Sequence, residues 1–431
     1  MVSAASPLVF GEGRGRPVVA VLSLHASPLA RLGERENGGL NVYVRAVCEE
    51  LGARGIGSDV FVRRTGPQEP PERPLGPHAR VIAVDAGPRR RVPKARLAET
   101  RDAFLAAVRA HILPRRCRYR ALHSHYWLTG DVAAALAPEL DVPWLHTAHT
   151  LAAVKAEHGF DGDAPERLLA ERRVVAAGAR LAVSTPEEAR DLRRLYGAGS
   201  DQCVVAPPGV DLARFRPRDT AALRARLGLD GRLVALFAGR LEPLKGPDLL
   251  IEALAELDRS PWLRLPRPVH ALFAGDDSSD GARVGQRQQL NRRAQALGLA
   301  DRVTFAGALS QERLALFYSL ADVVVVPSHT ESFGLVALEA LASGTPVVAA
   351  AVGGLRDVAA DGVTGSLVAG RNPGTWAAAI AATLADPLLR ERLGRAARRR
   401  AETFTWERTV DVLAAEYGLE PVSALAAGHC G

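Results

Sequence analysis

The 431-residue sequence is poor in several features that would each indicate a different class of protein. Its cysteines, Cys48, Cys117, Cys203 and Cys430, are far apart and form no C-x-x-C pair, which argues against a zinc site and a disulfide framework. Because no run of about 18 uncharged apolar residues occurs, we expect no segment that spans a bilayer. The N-terminus lacks a basic stretch followed by an apolar one, so we predict no export signal, a loose N-terminal arm and a cytoplasmic location.

Aromatic residues are also scarce, at 5% of the chain, and they do not interleave with the basic residues. This disfavours a nucleic-acid surface, and no nucleic-acid partner is expected. The net charge of +7 is unevenly distributed, because residues 1–120 contain 21 Lys and Arg against 11 Asp and Glu. Two clusters, over 89–94 and 115–120, supply much of the excess. They fit a solvated arginine-rich surface, a site for a small anion or a nucleic-acid patch.

Apolar residues are plentiful, and their arrangement indicates the fold. Short apolar runs alternate with amphipathic helical stretches, which is typical of parallel sheets covered on both faces. Prolines and a glycine interrupt the pattern over 207–217, which we predict to be a hinge. We therefore predict an α/β fold of two doubly wound, Rossmann-like domains facing a cleft. They would comprise an N-terminal domain over 1–206, a C-terminal domain over 218–402, and a final segment over 403–431.

Paired glycines in the motif Glu36-Asn-Gly38-Gly39-Leu-Asn41 lie between the first predicted strand and a helix. Glycines let a phosphate approach the backbone, and the helix N-terminus offers unpaired N–H donors. The motif is not G-x-G-x-x-G, which argues against a nicotinamide oxidoreductase. An ordinary structural turn is the alternative interpretation.

Two cations follow the first strand of the second half, in Gly239-Arg240-Leu-Glu-Pro-Leu-Lys245-Gly246. At the carboxyl end of a strand, they could hold a leaving diphosphate between them. Arg240 can bind two oxygens in a fork, and Lys245 supplies a point charge. The alternative is a pair of surface ion pairs.

The most specific motif is Glu331-Ser332-Phe333-Gly334-Leu335-Val-Ala-Leu-Glu339. Ser332 and Gly334 suit the start of a helix, where anions bind. If both glutamates were helical, they would share a face about two turns apart. A carboxylate inside an apolar helix is costly without hydroxyl partners, which sugars and ribose would provide. A buried structural carboxylate paired with arginine is the alternative.

In combination, these motifs resemble the retaining glycosyltransferases of family four, which have the GT-B fold, over nearly the whole chain. The resemblance extends through His25-Ala-Ser-Pro28, His123-Ser-His125-Tyr126-Trp127, His149-Thr150 and Pro208-Gly-Val-Asp211. Within this family, the sequence most resembles the mycothiol-pathway members, which transfer N-acetylglucosamine from UDP to inositol phosphate. The resemblance implies that the C-terminal domain binds a nucleoside-diphosphate sugar as donor and that the N-terminal domain binds a small polar anionic acceptor. It also implies a last helix, over 403–431, that crosses back to the N-terminal domain, and no required metal or cofactor. The resemblance is compatible with either a monomer or a homodimer.

The resemblance also implies a role for each site residue. The catalytic residues would be Arg240, Lys245, Glu331 and His149. The donor would contact Gly38, Gly39, Arg240, Lys245, Glu331, Ser332, Phe333, Gly334, Leu335 and Glu339. The acceptor would contact His25, Asn41, Lys94, Tyr126, Thr150 and Arg167.

The chain departs from the mycothiol-pathway pattern at several positions. Glu36 replaces an aspartate, Leu40 a methionine, and His329-Thr330 an aromatic-asparagine pair. Leu309 lies where a related enzyme has an arginine beside the nucleotide base. These departures leave open a related transferase of secondary metabolism. It would use another nucleotide sugar, such as a GDP-sugar, and an aminocyclitol or a carboxylate-bearing thiol as acceptor.

Overall fold

The structure, a computed structural model, describes residues 16–30, 38–160, 165–277 and 285–419. Within these ranges the chain forms two compact units. The first comprises 16–30, 39–207 and 406–419, and the second comprises 208–405. The predicted N-terminal arm, Glu36 and Cys430 lie outside the described residues.

An eight-stranded sheet forms the centre of the first unit, in the order β3-β4-β2-β1-β5-β6-β7-β8. All neighbouring strands are parallel except β3, which is antiparallel to β4. The strands are β1 (Val18–Leu22), β2 (Gly57–Arg63), β3 (Glu72–Gly76), β4 (Ala79–Val84), β5 (Tyr119–His125), β6 (Trp144–Thr147), β7 (Arg180–Val183) and β8 (Cys203–Val205).

Helices cover both faces of this sheet, because the central strands are apolar on both sides. Along β1, Val18 and Leu22 pack into one core layer, and Val19 and Val21 pack into the opposite one. This is the burial pattern expected of parallel strands. The helices that precede the second unit are α1 (Gly39–Ala53), α2 (Arg101–Ile112), α3 (Trp127–Leu140), α4 (Ala152–Glu157), α5 (Pro165–Ala176) and α6 (Pro186–Tyr196).

The second unit has a six-stranded, fully parallel sheet in the order β11-β10-β9-β12-β13-β14. Its strands are β9 (Leu233–Ala238), β10 (Val269–Ala274), β11 (Val303–Gly307), β12 (Val323–Val326), β13 (Val347–Ala350) and β14 (Gly365–Val368). Its helices are α7 (Ala221–Arg226), α8 (Pro247–Arg259), α9 (Gln286–Ala296), α10 (Gln311–Leu320), α11 (Leu335–Ala342), α12 (Leu355–Val358), α13 (Pro373–Ala385) and α14 (Pro387–Ala401).

The last described helix, α15 (Trp406–Glu416), packs on the first unit. Its Asp411 and Glu416 form ion pairs with Arg54 and Arg180, at 2.6 and 2.7 Å. Residues 208–217 lie in the second unit, where Val210 and Phe215 are buried in the core. The hinge over 207–217 stays a prediction.

The predicted architecture of two parallel α/β sheets is confirmed. Two edge strands, β3 and β14, were not predicted. Glycine and proline weaken the strand pattern of both segments, and such residues are tolerated mainly at sheet edges. Among the described residues, no helix is both long enough and apolar enough to cross a membrane.

Candidate active site

Three neighbouring strands of the first unit bring polar and aromatic residues to one edge of the sheet. His25 comes shortly after β1, Tyr126 directly follows β5, and His149 and Thr150 follow β6. Because β1, β5 and β6 are adjacent and parallel, their carboxyl ends meet at this edge. This is the edge at which open α/β sheets bind ligands.

The ring of Tyr126 lies at the centre of this group. The His25 ring lies 4.6 Å away, centroid to centroid. The Arg167 guanidinium carbon, from α5, lies 4.9 Å from the Tyr126 centroid, and Lys94 Nζ, from the 3-10 helix Lys94–Thr100, lies 6.0 Å from it. We refer to His25, Lys94, Tyr126, Thr150 and Arg167 as the anion cluster, because two cations lie near the same tyrosine ring.

Two residues at this edge adopt an unusual backbone conformation. Tyr126 has φ of 70° and His149 has φ of 61°, a region that non-glycine residues rarely occupy. Such a conformation costs of order 1–3 kcal/mol per residue and is found most often at functional sites. The strain therefore supports a functional role for this edge.

Arg167 is the most buried cation of the cluster, at 1% exposure. Its Nε donates to Glu171 at 2.7 Å. Its Nη2 donates to the carbonyl oxygen of Thr150 at 2.7 Å and to the Thr150 hydroxyl at 2.9 Å. The guanidinium is therefore held by two groups as well as by the Tyr126 ring. Sequence reasoning missed Glu171, because nothing in its local pattern distinguishes it from a surface glutamate of an amphipathic helix.

His25 is neutral in this environment. Burial, with the positive charges of Lys94 and Arg167, lowers the pKa of His25 to about 3. Its Nδ1 is buried and has no hydrogen-bond partner among the described residues. An unsatisfied buried polar group costs about 1–3 kcal/mol. A polar ligand at this edge would remove that penalty.

His149 is half-buried at the end of a row of buried histidines. Its Nε2 shares a hydrogen bond of 3.0 Å with Nδ1 of His125, and the ring of His125 lies 4.0 Å from that of His123. Nδ1 of His123 in turn shares a 2.6 Å hydrogen bond with the Tyr417 hydroxyl. Burial and neighbouring histidines lower the pKa of His149 to about 3, so it is neutral near pH 7. Tyr417 carried no sequence signal, since it lies 268 positions from His149.

The paired glycines and Asn41 lie at the start of α1. The helix begins at Gly39, the second of the two glycines. Gly38 has an ordinary φ, and a Cβ there would meet none of the described atoms within 4 Å. Asn41 is buried, and its Nδ2 donates to the carbonyl oxygen of Ser27 at 2.8 Å.

In the second unit, both predicted cations lie beyond the carboxyl end of β9. Nη2 of Arg240 lies 2.9 Å from Glu242, and Nζ of Lys245 donates to Oε2 of Glu331 at 2.7 Å. Their side chains are 34% and 26% exposed, so neither is fully solvated. Lys245 and Glu331, which lie 86 positions apart in sequence, are thus in direct contact.

The loop that contains Glu331, Ser332 and Phe333 rests on a pair of glycines. Gly354 N donates to the carbonyl oxygen of Glu331 at 2.9 Å, and a Cβ on Gly353 would lie 2.1 Å from that oxygen. Ser332 is half-buried, Phe333 is buried, and Gly334 has φ of 104° before α11 begins at Leu335. Because Glu331 precedes the helix, it does not share a helical face with Glu339. Sequence reasoning also missed Gly353 and Gly354.

Glu339 is buried within α11, as its apolar neighbours suggested. Its Oε2 accepts a 2.9 Å hydrogen bond from the Tyr318 hydroxyl. Burial raises the pKa of Glu339 to about 7, and the Tyr318 hydrogen bond opposes this rise. The hydroxyl that binds the Glu339 carboxylate therefore comes from a tyrosine of this chain. The alternative interpretation expected an arginine as the partner of Glu339. Leu309 is buried in the core of the second unit.

The basic clusters of the first unit differ in what they contact. Lys94 reaches the anion cluster, whereas Arg89 forms an exposed ion pair with Asp85 at 2.8 Å. Arg118 lies 4.0 Å from the buried Asp59. Much of the positive excess is therefore a solvated, ion-paired surface. Within the described ranges, no group of three or more His, Cys, Asp and Glu residues could hold a metal ion.

Comparison with known proteins decides the family. The family described as "Glycosyl transferase 4-like domain" matches residues 38–209, and "Glycosyl transferases group 1" matches residues 219–400. The chain is a group 1 glycosyltransferase. The predicted resemblance and the GT-B fold are thereby confirmed.

Several relatives of this glycosyltransferase are named D-inositol 3-phosphate glycosyltransferase. That of Geodermatophilus obscurus is 48% identical over 405 residues, covering 93% of this chain and 88% of the relative. That of Acidothermus cellulolyticus is 46% identical over 406 residues, covering 93% and 89%. Among solved structures, sucrose-phosphate synthase from Thermosynechococcus elongatus has a TM-score of 0.84 and 36% identity, covering 96% of this chain and all of that one.

Proposed function

We propose that this glycosyltransferase transfers a sugar from a nucleoside-diphosphate sugar to a small polar acceptor bearing a phosphate, with retention at the anomeric carbon. A UDP-N-acetylglucosamine-like donor and an inositol phosphate acceptor fit best. The observation that carries the proposal is the anion cluster, in which Lys94 and Arg167 both lie near the Tyr126 ring. The relatives named for D-inositol 3-phosphate support the same acceptor class.

The anion cluster suits a phosphate chemically. Arg167 and Lys94 supply positive charge, and the Tyr126 and Thr150 hydroxyls can bind phosphate oxygens. Neutral His25, with its unsatisfied Nδ1, is suited to a hydroxyl of a cyclitol. Asn41 would border the same pocket. The acceptor would thus be recognised by one anionic group and by hydroxyls.

The second unit suits the leaving group. Arg240, Lys245 and the N–H groups over 332–335 would stabilise the negative charge that develops on the diphosphate. The backbone at Gly38 and Gly39 would approach the same group. Glu331 would bind sugar hydroxyls, His149 would lie near the transferring sugar, and Glu339 would bind the ribose. The sequence has no G-x-S-x-G nucleophile elbow, which fits a reaction that leaving-group departure drives.

A panel of donors and acceptors, read by mass spectrometry, tests the substrate assignment. We expect product from UDP-N-acetylglucosamine with inositol phosphate, and none with unphosphorylated inositol at the same concentration. Turnover only with a GDP-sugar and an aminocyclitol or a carboxylate-bearing thiol would favour the alternative transferase. No turnover with any phosphorylated cyclitol would overturn the proposed acceptor.

The stereochemical outcome is a separate prediction. If the acceptor attacks from the side on which the diphosphate leaves, with a diphosphate oxygen taking its proton, an α-linked donor gives an α-linked product. The coupling constant of the product anomeric proton, measured by NMR, distinguishes the two anomers. A β-linked product would contradict retention and leave the substrate assignment intact.

Donor affinity should depend on pH through Glu339. Its pKa of about 7 in the folded protein lies above the ordinary 4.5, so it is largely protonated below pH 6. Ribose hydroxyls donate best to an ionised carboxylate, so affinity for UDP-N-acetylglucosamine should rise between pH 6 and 8. By linkage, the same group lowers the stability of the unliganded protein as pH rises from about 4.5 to 7.

Two variants check that the pH dependence comes from this carboxyl. Calorimetric titration of Glu339→Gln should show no rise in affinity over pH 6–8. Tyr318→Phe removes the hydrogen bond that opposes the rise in pKa, so the midpoint should shift to higher pH. A wild-type affinity that stays constant from pH 6 to 8 would count against the assignment of Glu339 to the ribose.

A further inference from the structure

Glu171 lies at the junction of three elements beside the anion cluster. It is 4% exposed and follows Arg167 by one helical turn on α5. Its Oε1 accepts from Arg167 Nε at 2.7 Å. Its Oε2 accepts from the hydroxyl of Tyr196, at the end of α6, and from the backbone N–H of Ala152, at the start of α4. One carboxylate therefore receives three donors from three helices.

These contacts fix the guanidinium of Arg167 from one side. Glu171 holds Nε, and Thr150 holds Nη2 through two hydrogen bonds of 2.7 and 2.9 Å. A guanidinium is planar, so fixing two of its nitrogens sets the orientation of the whole group. In this orientation the guanidinium carbon lies 4.9 Å from the centroid of the Tyr126 ring.

The same carboxylate also holds the segment that contains Thr150. Ala152 N lies 3.0 Å from Glu171, and the Tyr196 hydroxyl accepts from Ala153 N at 2.9 Å. This segment directly follows His149, whose φ of 61° requires support from its surroundings. Glu171 and Tyr196 thus hold both the cation and the Thr150 segment, whereas a simple ion pair would hold only the cation.

We propose that Glu171, supported by Tyr196, is the positioning residue of the anion cluster and prearranges Arg167 and Thr150 for the acceptor phosphate. The proposal rests on the proposed function, because it assumes that this cluster binds the acceptor. Glu171 itself is an anion and would repel a phosphate. Its presence there is explained if the gain from orientation exceeds that repulsion.

Because repulsion and orientation act in opposite directions, they predict opposite changes in the acceptor KM when Glu171 is replaced. Glu171→Gln removes a negative charge, so charge alone predicts a lower KM for inositol phosphate. Loss of orientation predicts a higher KM, by roughly 10- to 100-fold, the range for losing a hydrogen bond to a charged group. Glu171→Asp keeps the charge but shortens the reach, and it should also raise the acceptor KM. The donor KM should stay within about twofold in both variants.

Tyr196→Phe is the gentler variant, because it removes one hydroxyl and retains the ring. It should raise the acceptor KM in the same direction with a smaller effect, and thermal melting should show that it folds. The matched control is Glu166→Gln, on the same helix, where the carboxylate forms a half-exposed ion pair with Arg101 at 3.1 Å. We expect wild-type KM values for this control.

The outcomes separate this proposal from the proposed function. If wild type turns over inositol phosphate but Glu171→Gln has an equal or lower acceptor KM, positioning by Glu171 is overturned and the function stands. If wild type turns over no phosphorylated acceptor, the function fails. Titration with inorganic phosphate then decides: weaker binding to Glu171→Gln than to wild type supports positioning, and equal or tighter binding overturns it.

Discussion

Replacing Lys245 by alanine is expected to lower turnover by roughly 10²–10³-fold, the effect of removing one preorganised donor from a developing charge. In the structure its ammonium donates to Glu331 at 2.7 Å, beyond the carboxyl end of β9. The variant loses the cation and leaves the Glu331 carboxylate, 18% exposed, without that partner. Both changes disfavour charge on a departing diphosphate. Steady-state kinetics at saturating donor and acceptor measure the loss.

Two comparisons make the Lys245 prediction specific. Lys245→Arg keeps the positive charge and should recover part of the lost turnover. Arg293→Ala, also in the second unit, removes a cation that forms an ion pair with Glu252 at 2.8 Å and is 52% exposed. It should leave turnover unchanged. Wild-type turnover of Lys245→Ala would refute the proposed stabilisation of the leaving group.

Replacing Gly353 by alanine should also lower turnover, by roughly 100-fold or more, the scale expected when a catalytic group moves by about 1 Å. The new Cβ would lie 2.1 Å from the carbonyl oxygen of Glu331, far inside contact distance. Either the Glu331 loop or the 353–354 segment must move. The hydrogen bond from Gly354 N to the same oxygen would be distorted with it. Turnover and the KM of the donor measure the effect.

Gly362→Ala is a matched control for this prediction. Gly362 has φ of 69° and Gly353 has φ of 45°, so both substitutions place a side chain in the left-handed region. A Cβ on Gly362, however, meets none of the described atoms within 4 Å. The left-handed backbone should cost each variant about 1–2 kcal/mol of stability, and the contact with Glu331 adds to this cost in Gly353→Ala. Only Gly353→Ala should lose activity. Equal activity of the two variants would show that the Glu331 loop tolerates displacement.

The lysines of the sequence carry a signal of the site that lies outside its motifs. The chain has only three lysines, Lys94, Lys155 and Lys245, among 55 basic residues. In a chain that otherwise uses arginine, a retained lysine indicates a position where a compact ammonium is needed. Two of the three are candidate site residues.

Other parts of the site could not be predicted from the sequence. Gly353 and Gly354 lie about 20 positions after the loop that they support, and only the pairing of β12 with β13 brings them together. Glu171 belongs to an ordinary amphipathic helical pattern, so its sequence context does not indicate a special role. Only its contacts with Tyr196 and Ala152, which lie on other helices, distinguish it. Glu331 and Glu339 would share a helical face only if both were helical, and the helix begins after Gly334, which adopts φ of 104°.

The sequence by itself determined the alternation of strands and helices, the family, and the residues that end the strands, because each of these follows from local periodicity and short motifs. Only the tertiary structure decided which residues hold the site residues in place: Glu171 on Arg167, Gly353 and Gly354 under Glu331, Tyr318 on Glu339, and Tyr417 on His123. Most of these contacts join residues that lie far apart in the sequence. The contact of Glu171 with Arg167 lies within one helix, but nothing in the local sequence distinguishes Glu171 from other helical glutamates. A local pattern specifies which face of an element is buried, but not which partner meets it.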